Sequence, residues 1–513
     1  MGAGAPPVLV ASFAGLGDGF TGPHGRAALR NPSDNTLAVG RDHVVQIVNA
    51  RLAIFARAGR DDAQTGTVVY GPVPTNTLFH GAGGACEARN SGDAVARYDQ
   101  LADRWLVVMP VFQRSPWHAD DPSAPRPADG AVTSRPVRRG QPGAAVPLHV
   151  PVPQRDTIAV RAPATRDSGA YAMCYAVSAT SDPMGAWYRY EFVRPLFPDY
   201  PRPAVWPDGW YVPSSTGDDV IEKHACVVDR ARMLRGDEAS EQCIIIADVN
   251  FLNNVDLDGT ALPPPGAANI MLAAGGTQLR ARLRDSVLLA WSFHVDWDDA
   301  RNTRVTGPTL VPVAPYEYMC GGQLTNCVPQ PGTDRRLDSQ GDKLMARVTY
   351  RRIGDREMIV ATHSVNTASG SGGVRWYELD ITRDRAVRVV QQGTFAPDSS
   401  TRWMASPASD RFGNIGIGYS IGSATQFPGQ RFAGRRAGDP RGRLTMAEQV
   451  LVEGRASQVS TLRWQDYTQT AVDPRDDCTI WYVGDYLLPH ATAYSTRIGA
   501  FRLPGCTGAP PRR

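Results

Sequence analysis

One phrase recurs along the 513 residues at intervals of about 60, and a chain that repeats itself at such a period is confined to few folds. The phrase has a polar opening around an Asp, Tyr or Arg, then a small-apolar run, a Pro, Asp or Gly turn, and a second run ending in aromatics. Its copies open at Ser33-Asp34-Asn35, Gly92-Asp93-Ala94, Asp199-Tyr200-Pro201, Gly341-Asp342-Lys343, Arg402-Trp403-Met404 and Gln465-Asp466-Tyr467. Two intervals are long. The first contains a Pro- and Arg-rich stretch, 115–166, that reads as an inserted loop and restores the period once removed. The second has room for an extra copy, running from Asn269-Ile270-Met271-Leu272 through Val287-Leu288-Leu289-Ala290-Trp291. The chain therefore counts seven units, with six or eight as the alternatives.

A unit of this size, holding three or four short strands, cannot bury both faces of its sheet alone. Packing the sheets radially solves this and leaves only short edges. The expectation is an all-β fold, a seven-bladed β-propeller formed as a single domain by residues 1–513. Composition agrees: 50 Gly, 41 Pro and 11 Trp with 20% charged residues suit short strands and many turns, not a helical bundle. The runs Met358-Ile359-Val360-Ala361-Thr362-His363-Ser364 and Trp376-Tyr377-Glu378-Leu379 are strand-like. The ring is expected to close by pairing Val8–Phe13 with Thr496–Phe501.

A formal charge of +3 over this length argues against a partner held through nucleic-acid phosphates. Lysine occurs only at Lys223 and Lys343, a scarcity that reads as codon usage. No run approaches the roughly 20 apolar residues that span a bilayer, so no membrane insertion is expected. The eight cysteines have no metal-type spacing and read as four disulfides. Spacing does not fix connectivity; sequence order suggests Cys226–Cys243, Cys320–Cys327 and Cys478–Cys506, leaving Cys86–Cys174. This implies a secreted or periplasmic protein. The first 19 residues lack a signal peptide's basic start and long apolar run, and read as the beginning of a processed chain.

In a propeller, residues at equivalent offsets ring the axis. Here that ring would hold Asp34, Asp93, Tyr200, Asp342, Arg402, Trp403, Asp466 and Tyr467. Such residues either cap strands and tie neighbouring blades, or converge on a polar ligand. For a glycan, Tyr200, Tyr467 and Trp403 offer faces to sugar rings, and Arg402 a bidentate grip on an acidic group. With Asp34, these residues are the expected ligand contacts; Asp93, Asp342, Asp466 and Tyr467 are the expected catalytic groups. Two of the aspartates can serve as acid and base of glycosidic cleavage, or a Tyr and an Arg can remove a proton beside a uronate, as a lyase does. The alternative is a non-enzymatic envelope or protein-binding propeller that presents the 115–166 insert. The only cofactor the pattern leaves room for is a structural calcium. Asn254-Val255-Asp256-Leu257-Asp258-Gly259 opens like a calcium loop, but Pro265 stands where the loop's Glu belongs, and a plain turn is the expectation.

Tyr98-Asp99-Gln100-Leu101-Ala102-Asp103-Arg104-Trp105, Phe197-Pro198-Asp199-Tyr200-Pro201 and Trp206-Pro207-Asp208-Gly209-Trp210-Tyr211 carry a resemblance, as does the run from Ala471 to Tyr482. They resemble exported bacterial propellers of the sialidase-like, BNR-repeat type, over about Asn31 to Cys506. The resemblance implies an extracytoplasmic propeller. It departs from true sialidases in two places. The F-R-I-P phrase that supplies a carboxylate-binding arginine has its only echo in Phe501-Arg502-Leu503-Pro504, at the wrong end of the chain, and the Asp-box is only loosely echoed in Ser409-Asp410-Arg411-Phe412-Gly413. No sialidase residues are carried over, and sialidase activity is not expected.

Overall fold

A computed structural model of the chain describes all residues except 1, 3, 58–64, 116–131, 135, 140–145, 148–169, 195–196, 216–222, 250, 275–286, 323–325, 342 and 507–513. The fold is a β-propeller. Thr36–Val39, Val95–Asp99, Ala204–Trp206, Asn253–Leu257, Val348–Ile353, Thr401–Ser409 and Gln469–Val472 are innermost strands, and each starts a four-stranded antiparallel meander among the described residues. Successive innermost strands lie against one another. Asn253–Leu257 pairs in parallel with Val348–Ile353, and Gln469–Val472 returns to touch Thr36–Val39, so the series closes around one axis.

The last meander is completed from the other end of the chain. Val8–Gly17 pairs antiparallel with Ser495–Arg502, setting Val8 opposite Arg502 and Phe13 opposite Ile498, the closure expected from the sequence. The four disulfides also match: Cys86–Cys174, Cys226–Cys243, Cys320–Cys327 and Cys478–Cys506.

The apolar runs follow from each sheet lying between two others. Along Arg104–Ser115, Trp105, Val107 and Met109 pack with Ala38, Val45 and Ile54 of the preceding sheet. Leu106 and Val108, pointing the opposite way, pack with Trp210, Val212 and Val228 of the following one. Strand side chains alternate between faces, so a strand with two covered faces has no polar positions to alternate with. Each such fully buried side chain contributes about 1.5–3 kcal/mol.

One expectation is corrected. The fourth meander begins at Asn253, not Asn269, so the stretch read as a turn or calcium loop is an innermost strand. Of the 115–166 insert, the described parts beyond Ser115 are three short strands on outer sheet edges, Val132–Ser134, Pro136–Arg139 and Val146–Pro147; the rest lies outside the described residues. Among the described residues, no helix is long and apolar enough to cross a membrane.

Candidate functional site

The recurring phrase has a backbone cause. Asp34, Asp93, Tyr200, Gln340 and Asp466, each ahead of an innermost strand, have positive φ, from 46° to 66°. In the Thr401–Ser409 strand the corresponding residue is Met404, at 51°, where the pairing register slips between Trp403 and Ser406. Asp tolerates this left-handed conformation better than most residues, which is why it recurs. The phrase is thus the signature of a left-handed leading turn, and these turns bring distant residues together on one axial face.

That assignment shifts two copies by a pair of residues. In the fifth meander the turn residue is Gln340; Asp342 lies outside the described residues. In the sixth it is Met404, which leaves Arg402 and Trp403 behind the turn. Arg402 grips Glu448 through Nε (2.7 Å) and Asp398 through Nη1 (2.8 Å), so its guanidinium is committed to structure. Trp403 is buried in an apolar cluster with Met345, Met404, Trp464 and Leu487. Neither joins the axial group.

Asp34, Asp93, Tyr200, Asp466 and Tyr467 do come together. Asp34 is 2% exposed; its Oδ2 accepts from Asn49 Nδ2 (2.5 Å), while its Oδ1 finds no donor. Its carboxyl lies within hydrogen-bond reach of that of Asp93, which in turn accepts from the Tyr200 backbone N–H (3.3 Å). Two acceptors meet this way only when one carries a proton. Burial first, then the charges of Asp93 and Asp466, push the Asp34 carboxyl well above the usual range. Asp466 accepts from Gln340 Nε2 (3.1 Å) and is paired with Arg463. Burial raises its proton affinity, while Arg463 and Lys343 oppose the rise. Asp338, on the hairpin whose first strand is tied by Cys327 to Cys320, is pushed up to about 6 by burial and by Asp466. Behind them Asp485, bonded by Asn35 Nδ2 (2.7 Å), is pushed up to about 8 by burial.

Aromatic rings form the other half. Tyr200 and Tyr467 stack with centroids 4.1 Å apart, and the Tyr200 hydroxyl donates to the Asp466 carbonyl (2.7 Å). The Tyr467 hydroxyl, on a residue 2% exposed, has no partner, although Asp93 and Asp34 are its electrostatic neighbours. Phe251 meets Tyr200 edge-on at 5.7 Å, and Lys343 Nζ lies 4.1 Å from both ring centres. The sequence reading missed Phe251, Gln340, Arg463 and both lysines. The lysines had a signal, namely their scarcity, which was attributed to codon usage.

Deeper in the ring the axis is filled. Arg347 bonds Asp256 through Nε (2.7 Å) and also grips Asp258, and Arg97 lies 3.3 Å from Asp256. The space left among these groups and Gln469 is about 30 Å³. Asp256 and Asp258, the acids of the calcium-like phrase, are therefore arginine partners. Among the described residues, the one group of three metal-type side chains is Cys226, Glu241 and Cys243, whose cysteines form a disulfide. A larger cleft of about 600 Å³ lies away from the axis, between Gly2–Ala5, Thr394–Pro397 and the loop from Arg436 to Met446.

No family model matches the sequence, and no curated protein does. Solved structures similar to the chain include sialidase-like proteins, the class its phrases resemble. The subtype N10 neuraminidase-like protein of A/little yellow-shouldered bat/Guatemala aligns with a TM-score of 0.34 and 9% identity, over 84% of this chain and 99% of that one. The Trypanosoma rangeli sialidase in complex with sialic acid aligns at 0.36 and 11%, over 84% of this chain and 60% of that one. The WD40 domain of SCAP from fission yeast aligns at 0.30 and 9%, over 90% and 82%.

Proposed function

We propose that the protein is a secreted or periplasmic propeller that binds and cleaves an extracellular polysaccharide at the axial face, as a glycoside hydrolase or a polysaccharide lyase. The observation that carries this reading is the Asp34–Asp93 carboxyl pair, the buried Asp34 and the half-buried Asp93 both neighbouring a Tyr467 hydroxyl that no described group satisfies. A carboxyl whose proton affinity is raised by burial and by neighbouring carboxylates, as that of Asp34 is, can serve as a proton donor. The extracytoplasmic setting is supported by four disulfides with no free cysteine.

The geometry constrains the chemistry. Separate acid and base in glycosidases stand about 5–5.5 Å apart when retaining and about 6.5–9.5 Å when inverting. Asp34 and Asp93 are in hydrogen-bond contact, so they act together as one member, and a hydrolase needs Asp466 as the other. In a lyase the Asp34 carboxyl, when protonated, would donate a hydrogen bond to the uronate carboxylate while Tyr467 handles the ring proton.

Incubation with acidic and neutral polysaccharides, reading both new reducing ends and the absorbance of unsaturated uronates, tests this. Product is expected from at least one substrate, with turnover reduced about 10²–10⁴-fold in Asp93→Asn. No product from any of them, with a melting temperature that none shifts, would overturn the reading.

A further inference from the structure

Of the chain's 54 basic residues, two are lysines, and both end beside one ring. Lys343 Nζ lies 4.1 Å and Lys223 Nζ 5.9 Å from the centre of Phe251. Lysine is ordinarily among the most exposed residue types. Here Lys223 is 0% and Lys343 3% exposed, although they come from different meanders. A bias that turns nearly every cation into arginine has spared the two that share a buried site. Ammonium is a compact point charge that a planar guanidinium does not replace, so their retention points to a requirement of that site.

A third cation completes the group. Arg202, 3% exposed, has its guanidinium carbon 5.6 Å from the Phe251 centre and 5.1 Å from that of Tyr200. Its Nε donates to the Leu252 carbonyl (2.7 Å) and Nη1 to the Tyr200 carbonyl (2.8 Å), but Nη2 has no partner. Among the described residues no carboxylate closes an ion pair with it. Asp199 is a charged neighbour of Arg202, but the buried Nη2 stays unpartnered among the described residues, a cost that a ligand anion would offset.

We propose that Arg202, Lys223 and Lys343, set around Phe251, form a subsite for one anionic group of the ligand, a sugar carboxylate or sulfate. It rests on the axial-face reading and gives that reading a substrate class, acidic polysaccharides. It takes over the task the sequence had given to Arg402, which Asp398 and Glu448 occupy. The face then has two poles. The cations at Phe251 hold the ligand's charge, and the Asp34–Asp93 pair and the Tyr467 hydroxyl meet its sugar.

The scarcity of lysine makes a direct test practical. Protein labelled with ¹⁵N at lysine Nζ shows one ammonium resonance for each lysine, assigned with Lys223→Arg and Lys343→Arg. It is titrated with glucuronate, glucose 6-sulfate and, as the neutral control, glucose. The expected result is a saturable shift of the Lys343 resonance with at least one anionic sugar and none with glucose; the responding sugar distinguishes carboxylate from sulfate. Arg202→Met should weaken that binding at least tenfold with near-UV circular dichroism unchanged. Failure of both anionic sugars to move either resonance of the native protein overturns the subsite, whatever the variant does. Native affinity in a folded Arg202→Met also overturns it. Anion binding without cleavage of any polysaccharide leaves the subsite standing and removes the enzymatic reading. Cleavage of a polysaccharide with lysine resonances unmoved does the reverse.

Discussion

Inside the ring, Arg97 and Arg347 meet Asp256 and Asp258 with each carboxylate answered by an arginine, whereas at the leading turns Asp34 faces Asp93 and Arg202 ends in an unanswered N–H. The two clusters use the same residue types, one at the innermost strands and the other on the turns that lead into them. The difference is in pairing. A cluster that is complete by itself ties meanders together; one left incomplete among the described residues has polar groups free to answer a ligand.

Removing one partner should therefore act oppositely at the two places. Arg347→Met strands the buried Asp258 and leaves Asp256 with Arg97 alone, and is expected to cost about 3–5 kcal/mol in denaturant unfolding. Asp34→Asn replaces a buried ionisable carboxyl with a neutral amide and should leave stability unchanged or raise it. Equal losses in both variants would erase the distinction. Arg402→Met, which breaks charged hydrogen bonds to Asp398 and Glu448 away from the face, should cost about 2 kcal/mol and leave cleavage of any substrate at native rate.

Acidity sharpens the contrast. Asp485 is held at about 8 when folded against an ordinary value near 3.9, so between these the folded state binds a proton that the unfolded chain has released. Its contribution is complete at low pH and is lost as pH rises toward 8, at about 1.4 kcal/mol per unit. Asp338, at about 6, adds the same slope over a narrower window. His224 and His363, held by burial at about 3, work in the other direction, losing stability as pH falls below about 6.5. Asp485→Asn should thus gain stability relative to the native protein as pH is raised from 5 to 8, measured by thermal unfolding. A constant difference would contradict the burial argument. The smallest effect on stability belongs to Tyr467→Phe, within about 0.5 kcal/mol because its hydroxyl bonds nothing, yet turnover of a polysaccharide substrate should fall at least tenfold.

The propeller was legible because its cause is periodic. A left-handed turn needs a tolerant residue, Asp fills it at three positions, and sheets covered on both faces write unbroken runs such as Trp105 to Met109. Half of the axial group followed from that phrase. Arg402 and Trp403 did not, since Met404 occupies the turn and carries no polar signature, so the alignment slipped by two residues. Phe251, Arg202 and Arg463 lie on connecting segments whose position depends on how distant loops meet, which periodicity does not encode.

Hydrogen exchange with and without a cleavable or binding oligosaccharide tests the account most directly, because the axial face competes there with the much larger cleft beside Arg436 and Arg443. Slowed exchange at residues 33–35, 92–94, 199–202, 251–252 and 464–467 is the predicted outcome. Protection confined to 394–397 and 436–446, with the leading turns unchanged, would contradict it.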